Sequence, residues 1–386
     1  MKKETLWTPG FVFLMFIGTM TSMGFFLIAP IITKHAIHIG ASLTLAGLAA
    51  GMLSITGMFA RPFSGVLVDR MNKKFMMIGS IVVMGLATWG YAVAANVAML
   101  MAFRVIHGVA FAVGLTVNTV MVTRFIPKSR LGEGMGYYGI GQVISTAVGP
   151  NIGVIVGERF GFANVFVISG LLLVFAASLL LRLPYKPEEN AQRKKGIKLD
   201  DLIAVPVIPL AIVGGLFSVT NGLISGFIIL LGEERGIANI GLYFTVNAIC
   251  LLLVRPIAGR LSDQVPLGWI LYPSLALTML ESLLLAQAHA LWVVLIAAVC
   301  KAIGQGSAQP TLMAACIKKL DPSKSGVATS TFFIGADIGQ GLGPLLGGMI
   351  SGRFGYQWMF YCAALLIALG MIYFYMQSGT AKRKEV

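Results

Sequence analysis

Between short charged loops this sequence runs in long apolar stretches, at 8–33, 42–68, 75–95, 97–124, 132–157, 162–182, 203–231, 237–262, 267–288, 291–317, 325–350 and 356–377. As a helix rising 1.5 Å per residue, each is long enough to cross about 30 Å of hydrocarbon. None alternates with the period of two that a lipid-facing β-barrel requires. Only 11% of the residues are charged and 57% are hydrophobic, whereas a soluble domain carries about a quarter charged residues. The chain is therefore expected to be an all-α polytopic membrane protein with twelve transmembrane helices.

The formal net charge is +14, but the basic residues do not gather on one soluble face, and nucleic acid is not an expected partner. They concentrate in every second loop. With the N-terminus inside, the cytoplasmic segments hold Lys2, Lys3, Arg70, Lys73, Lys74, Arg124, Lys128, Arg130, the basic cluster within 183–202, Arg260, Lys318, Lys319, Lys324 and Lys382 to Lys384. The opposite side holds Lys34, Arg159, Arg235 and Arg353. This asymmetry predicts that both termini are cytoplasmic. The run after Lys2-Lys3 is too long for a signal peptide and has no small-x-small closing site, so it is expected to remain as the first span. Cys250, Cys300, Cys316 and Cys362 all lie in apolar segments without C-x-x-C spacing and read as small buried hydrophobes.

The sequence also repeats. Residues 61–69 read R-P-F-S-G-V-L-V-D and residues 255–263 read R-P-I-A-G-R-L-S-D. The same offset relates Gly149-Pro150 to Gly343-Pro344 and Arg159-Phe160-Gly161 to Arg353-Phe354-Gly355. A duplicated, almost wholly apolar unit points to a transporter built from two repeats. The expected division is 1–182 and 203–386, each of six helices, joined by a cytoplasmic linker at 183–202, the one stretch of soluble composition.

Four features resemble the major facilitator superfamily, and within it the twelve-span drug:proton antiporters. They are G-V-L-V-D-R-M-N-K-K from Gly65 to Lys74, its weaker copy G-R-L-S-D-Q from Gly259 to Gln264, R-V-I-H-G from Arg104 to Gly108, and the G-P-x-x-G element in spans five and eleven. The resemblance covers the whole chain. It implies two six-helix bundles, each of 3+3 inverted repeats, that rock about a central cavity. In the antiporters the helix-kink element is fuller in span five. Here Gly149, Pro150 and Gly153 are present but Ser145 and Val154 replace expected glycines, and the fuller form is in span eleven around Gly343, Pro344 and Gly347.

Elementary electrostatics assigns a task to the repeated motif. Asp69 and Asp263 end helices, where a carboxylate meets the negative end of its own helix dipole. For Asp69 the compensating positive charge can come from the start of a neighbouring helix or from Arg70, Arg124 and Arg130. Glu133 can complete a network with Arg70 or Arg124. Gly65 and Gly259 allow close helix approach. Such a set can latch the cytoplasmic side shut and open when the bundles rock; ordinary topology-setting charge is the competing reading, preferred for Lys73 and Lys74.

Ionisable residues inside a membrane are costly and are candidates for function. They are Arg61, Arg104, His107, Arg255, Glu281, Lys301 and Asp337. Asp337, near the middle of span eleven, reads as the proton-linked carboxylate, against a static ion pair with Lys301. Arg104 and His107 share a helix face and can join a proton relay, although His107 also reads as a packing histidine. Glu281 on span nine, peripheral in the resembled fold, reads as structural. Arg61 and Arg255 are explained by snorkelling towards headgroups. The membrane interior of the first half contains no carboxylate, so a cavity containing Arg104, His107 and Lys301 suits neutral, zwitterionic or anionic amphiphiles better than strong cations. Met23, Phe26, Asn118, Tyr137, Tyr138, Asn221, Asn247, Gln305 and Gln309 are the remaining cavity candidates.

Other chemistries find no support. Gly134 to Gly139 spells G-x-G-x-x-G but opens a membrane helix without a preceding strand, so a dinucleotide reading fails. There is no G-x-x-x-x-G-K-[ST], and no Ser–His–Asp arrangement stands out. His35 and His38 are too few for a convincing metal site. The expectation is thus a cofactor-free, metal-free, monomeric secondary transporter in a bacterial cytoplasmic membrane, exporting amphipathic small molecules in exchange for protons. Uptake or exchange of an organic anion, a sugar or another metabolite is the alternative, and lipid flipping a further one.

Overall fold

The structure, a computed structural model, describes residues 5–41, 43–185 and 202–384; most of the expected linker, together with Lys2 and Lys3, lies outside the described residues. The α-helices among the described residues are α1 (Pro9–Ile28), α2 (Ile31–His38), α3 (Leu43–Arg70), α4 (Lys73–Ala92), α5 (Val97–Thr123), α6 (Leu131–Phe160), α7 (Phe162–Leu180), α8 (Ile208–Glu234), α9 (Leu242–Ser262), α10 (Leu267–Ala286), α11 (Leu291–Lys318) and α12 (Ser325–Lys384). Of these, all but the short α2 are long and apolar enough to cross a membrane. The last is two such helices in series, because Gly355 breaks it with φ 83°. Gly161, its counterpart in the repeat, separates α6 from α7 with φ 89°. Positive φ is a conformation that glycine adopts without steric cost, so the same residue ends the same helix in both halves.

Local chemistry sets other boundaries. Thr8 accepts from the amide of Phe11 at 3.2 Å and Pro9 follows it, which starts α1. Asn72 accepts from the amides of Lys74 and Phe75 to start α4, and Asn96 from that of Met99 to start α5. Helix ends receive cations. Lys74 donates to the carbonyls of Leu181 and Leu183 beyond α7, at 2.9 and 2.8 Å. Arg235 donates to Leu285, Ala286 and Ala288 where α10 ends. Each places a positive charge where orphan carbonyls collect; burial lowers the Arg235 pKa, and neighbouring Glu234 opposes that shift.

The chain forms two compact units. One contains residues up to Arg130, 138–204 and 320–330; the other contains 131–137, 205–319 and 331 onward. In the first, α5 packs along α3 and α4, and α7 along α4 and α1, around Leu27, Ile31, Tyr91, Leu100 and Phe166. In the second, α11 packs along α9 and α10, around Ile228, Tyr243, Leu285, Val294 and Phe360. Large apolar side chains such as Phe59, Leu253, Trp269 and Trp292 point outward, as expected of a surface solvated by lipid rather than water.

Within the second unit α8 and α12 approach at backbone distance. A Cβ on Gly343 would stand 2.6 Å from the Val219 carbonyl oxygen, and one on Gly215 would stand 2.7 Å from that of Gly335. Small residues permit such packing, which drives helix association where water supplies no hydrophobic force. Gly343→Ala is expected to destabilise the protein by about 1–3 kcal/mol through overpacking. Gly341→Ala, where an added Cβ meets nothing within 4 Å, should leave the melting temperature in detergent at or above that of the parent. Equal losses at both positions would refute the packing argument.

Candidate functional site

The repeated motif builds two matching contacts. Asp69, at the end of α3, accepts from the amides of Gly326 and Val327 at 2.7 and 3.0 Å, through Oδ1 and Oδ2 respectively. Asp263, at the end of α9, accepts from those of Gly132 and Glu133 at 3.0 and 2.9 Å. Each carboxylate therefore covers the first amides of another helix, α12 or α6, where unpaired N–H groups and the positive dipole end coincide. Gly65 and Gly259 make room. An added Cβ would lie 2.9 Å from Val327 Cα in one case and 2.5 Å from the Gly132 carbonyl oxygen in the other. At the second contact, Lys318 pairs with Asp263 at 2.9 Å, and Arg260 donates to Glu133 at 2.8 Å and to the Tyr137 hydroxyl at 2.6 Å. Elsewhere, Arg124 donates to the Tyr185 hydroxyl at 2.8 Å.

Several of these partners escape a reading of the sequence. Charge asymmetry alone makes Lys318 and Arg260 topology-setting residues, and nothing in it singles out Gly326. The repeat offset carries a signal, since it relates Gly65 to Gly259, Asp69 to Asp263 and Gly132 to Gly326. The basic residue that follows the first aspartate has no equivalent in the second copy, where Gln264 stands in place of Arg70.

The interior of the first unit holds Arg104 and His107 on α5. Arg104 is buried; it donates through Nε to the Ala49 carbonyl at 2.7 Å and through Nη2 to that of Ala50 at 2.8 Å. His107 Nδ1 shares a hydrogen bond of 2.8 Å with the Tyr91 hydroxyl, and the two rings stack. Nε2 of His107 has no partner among the described residues. Asn118 is buried beside the Tyr138 hydroxyl, with Oδ1 unpartnered among the described residues. Met23 and Phe26 are half-buried on α1, Met23 against the apolar core and Phe26 edge-on to Phe25.

In the second unit Asp337 is half-buried on α12. The partners of Lys301 are the Tyr243 ring, 5.8 Å away, and the charge of Glu281; a static pair with Asp337 is not what holds it. Asn221 donates to Gln340 at 3.1 Å, Asn247 to the Ala298 carbonyl at 3.2 Å, and Gln305 is half-buried on α11. Arg255 Nη2 reaches Gln309 Oε1 at 3.5 Å. Arg255 and Arg61, whose Nη1 donates to the Ala112 carbonyl at 3.3 Å, are both buried against protein. That corrects the snorkelling expectation: these guanidinium groups find carbonyl and amide oxygens near by, so they need no headgroup. A cavity of about 660 Å³ lies elsewhere in this unit, among Pro209, Leu267, Tyr272, Lys318, Lys319 and Phe374, and is lined by none of the expected cavity residues.

The helix-kink residues act in packing. Pro150 and Pro344 lie inside α6 and α12. A Cβ on Gly149 would meet Phe26 Cβ at 2.8 Å, one on Gly153 the Leu27 carbonyl carbon at 3.0 Å, and one on Gly347 the Met359 sulfur at 3.1 Å. The hydroxyl of Ser145, which departs from the glycine expected there, lies 2.8 Å from the Gly141 carbonyl of its own helix and 3.1 Å from the Thr19 carbonyl of α1, and has one proton to share between them. His35 packs edge-on against Phe166; burial lowers its pKa below the usual 6.5, with His38 adding to the shift.

A model of the Major Facilitator Superfamily matches residues 14–212 and 210–385. The multi-drug resistance efflux pump PmrA of Streptococcus pneumoniae is 25% identical, over 88% of each chain. The multidrug resistance protein MdtG of Proteus mirabilis is 24% identical, over 99% of each. Among solved structures, the human organic anion transporter MFSD10 superposes with a TM-score of 0.78 at 16% identity, covering 95% of this chain and 99% of its own. The Escherichia coli fucose:proton symporter FucP superposes with a TM-score of 0.78 at 16% identity, covering 96% and 98%.

Asp263→Asn weakens two amide bonds and an ion pair, whereas Lys318→Met removes the half-exposed ion pair alone. Thermal unfolding is expected to show a loss of about 1–2 kcal/mol for the first and under about 1 kcal/mol for the second. The reverse order would contradict the capping role.

Proposed function

Because the chain belongs to the Major Facilitator Superfamily, and is thus a multi-pass membrane transporter of small molecules and not an enzyme, we propose that it exports amphipathic small molecules of the multidrug type in exchange for protons. The observation that carries this reading is the match to bacterial efflux proteins over nearly the whole chain. In this reading the protein works as a monomer in a bacterial cytoplasmic membrane, with both termini inside. The carboxylate-capped helix starts then lie on the cytoplasmic side, where Asp69 and Asp263 hold the closed state and release it as the bundles rock. Two bundles, 1–182 and 203–386, supply the moving parts.

Asp337 is the proposed proton-linked carboxylate, with Arg104, His107 and Lys301 as charge partners in the relay. Met23, Phe26, Asn118, Tyr137, Tyr138, Asn221, Asn247, Gln305 and Gln309 are the proposed cavity wall. That wall sets uncharged amides and phenols beside Met23 and Phe26, which suits a ligand with both a polar and an apolar part. One observation favours the alternative of organic-anion exchange: the buried Arg104 and Lys301 give the interior cationic character that attracts anions.

Proteoliposomes with an imposed pH gradient separate these readings. With acid inside, neutral or zwitterionic amphiphiles are expected to accumulate, and a protonophore to abolish the accumulation. Accumulation that ignores the gradient for every cationic, neutral and anionic amphiphile tried would overturn proton coupling. Asp337→Asn should lose gradient-driven accumulation while retaining downhill equilibration; coupling at the wild-type level would remove Asp337 from the relay.

A further inference from the structure

The second unit contains a buried acid, phenol and amine that the proposed relay uses only in part. Glu281 on α10 is 1% exposed, Tyr243 on α9 is fully buried, and Lys301 on α11 is 6% exposed. Oε1 of Glu281 accepts from the Tyr243 hydroxyl at 2.5 Å. Oε2, equally buried, has no hydrogen-bond partner among the described residues. The Lys301 ammonium lies 5.8 Å from the centre of the Tyr243 ring. The surroundings are apolar, including Leu285, Ala297 and Ala298. The titratable groups that face Glu281 are Lys301 and Cys300 on α11 and Tyr243 on α9.

This is not how a structural ion pair is built. A buried pair persists when its geometry is close and its remaining polar atoms are satisfied, because the low dielectric magnifies both the attraction and any defect. Here the carboxylate is fixed to the hydroxyl of the tyrosine while the ammonium rests on its face. One carboxylate oxygen is left without a donor, in a place where an unsatisfied charged atom is costly.

We propose that Glu281 is a proton-binding site of the second unit, with Oε2 as the atom that takes the proton, Tyr243 as its anchor and Lys301 as the counter-charge of its empty state. Binding forms one O–H bond on Oε2 with a proton from water and takes the carboxyl from −1 to neutral; release reverses this, with no other bond changed. The Tyr243 bond survives both states, since Oε1 remains an acceptor in a protonated carboxyl. Lys301 balances the deprotonated state.

The first unit also sets a tyrosine between a hydroxyl partner and a cation, at positions that the repeat does not align with these. Tyr91 bonds His107 through its hydroxyl, and Arg104 stands 5.8 Å from the Tyr91 ring. The repeat offset relates His107 to Lys301 but Tyr91 to Leu285 and Tyr243 to Ala49, so the two arrangements are analogous and not copies of one another. Both units thus hold a tyrosine between a hydroxyl partner and a cation, but the second has an acid as that partner where the first has a histidine. Use of Glu281 to drive transport rests on the proton-coupled reading above; its proton binding does not.

Infrared difference spectra of the purified, substrate-free protein between neutral and acid pH test the site directly. A protonated-carboxyl carbonyl band is expected in the wild type and in Asp337→Asn, and its loss in Glu281→Gln, which keeps an acceptor for Tyr243. In Tyr243→Phe, which removes only a hydroxyl, the band should shift in frequency. An identical spectrum in wild type and Glu281→Gln overturns the proposal, as does an unmoved band in Tyr243→Phe should Glu281→Gln fail to fold. In the vesicle assay, Glu281→Gln should lose gradient-driven accumulation of a neutral or zwitterionic amphiphile and keep downhill equilibration. A lost band with unchanged accumulation overturns the transport role alone, and a wild type indifferent to the gradient defeats proton-coupled export while the band still decides the site.

Discussion

A carboxylate set against the first amides of a helix is the contact on which the rest of this structure turns. A helix start offers unpaired N–H groups and a partial positive charge, and the end of another helix is a poor place for a carboxylate. Asp69 and Asp263 resolve both problems together, by bonding two amides each at the starts of α12 and α6. The glycines of the motif follow from this contact, because a side chain at Gly65 or Gly259 would occupy the space of the segment being capped. So does the division of the chain, in which 131–137 groups with 205–319 and 320–330 with the residues before Arg130. A charge-assisted bond of this kind is strong while it is made, yet it consists of a few atoms at a helix tip and can be released without unpacking a core. That is a suitable property for the proposed gate.

The two halves began as copies and have diverged in their buried chemistry. In the first, Arg104 is satisfied by backbone carbonyls of α3 and His107 by Tyr91. In the second, Tyr243 lies between an acid and an amine, and Asp337 adds another carboxylate. The capping contacts diverged as well. Asp263 pairs with Lys318, while the first copy carries Arg70 where the second has Gln264. Common backbone demands kept the glycines and aspartates in register, while residues not needed for the fold were free to take up different charges.

Much of the fold is legible in the sequence because the hydrocarbon thickness dictates the length and polarity of each span. The helix breaks at Gly161 and Gly355 stand in the repeated R-F-G for a reason local to one residue. Partners across the fold are harder to read. The structure joins Glu133 to Arg260 at 2.8 Å, a partner that nothing in the sequence singles out; the two are far apart in the chain, and only packing brings them together. Estimated depth alone sets Lys301 against Asp337. Depth does not say which way a side chain points, and the structure turns Lys301 towards Tyr243 and Glu281. Arg61 and Arg255 read as headgroup-seeking because nothing in sequence announces a carbonyl such as that of Ala112 within reach.

Hydrogen–deuterium exchange in lipid nanodiscs tests the capping contact most directly. In the wild type the amides of Gly326 and Val327, and those of Gly132 and Glu133, should exchange slowly for helix starts, since each is bonded to a carboxylate. Asp69→Ala is expected to speed exchange in the peptide containing Gly326 and Val327, and Asp263→Ala in the peptide containing Gly132 and Glu133. If neither substitution changes exchange at its helix start, the carboxylates do not hold these helices and the account fails at its foundation.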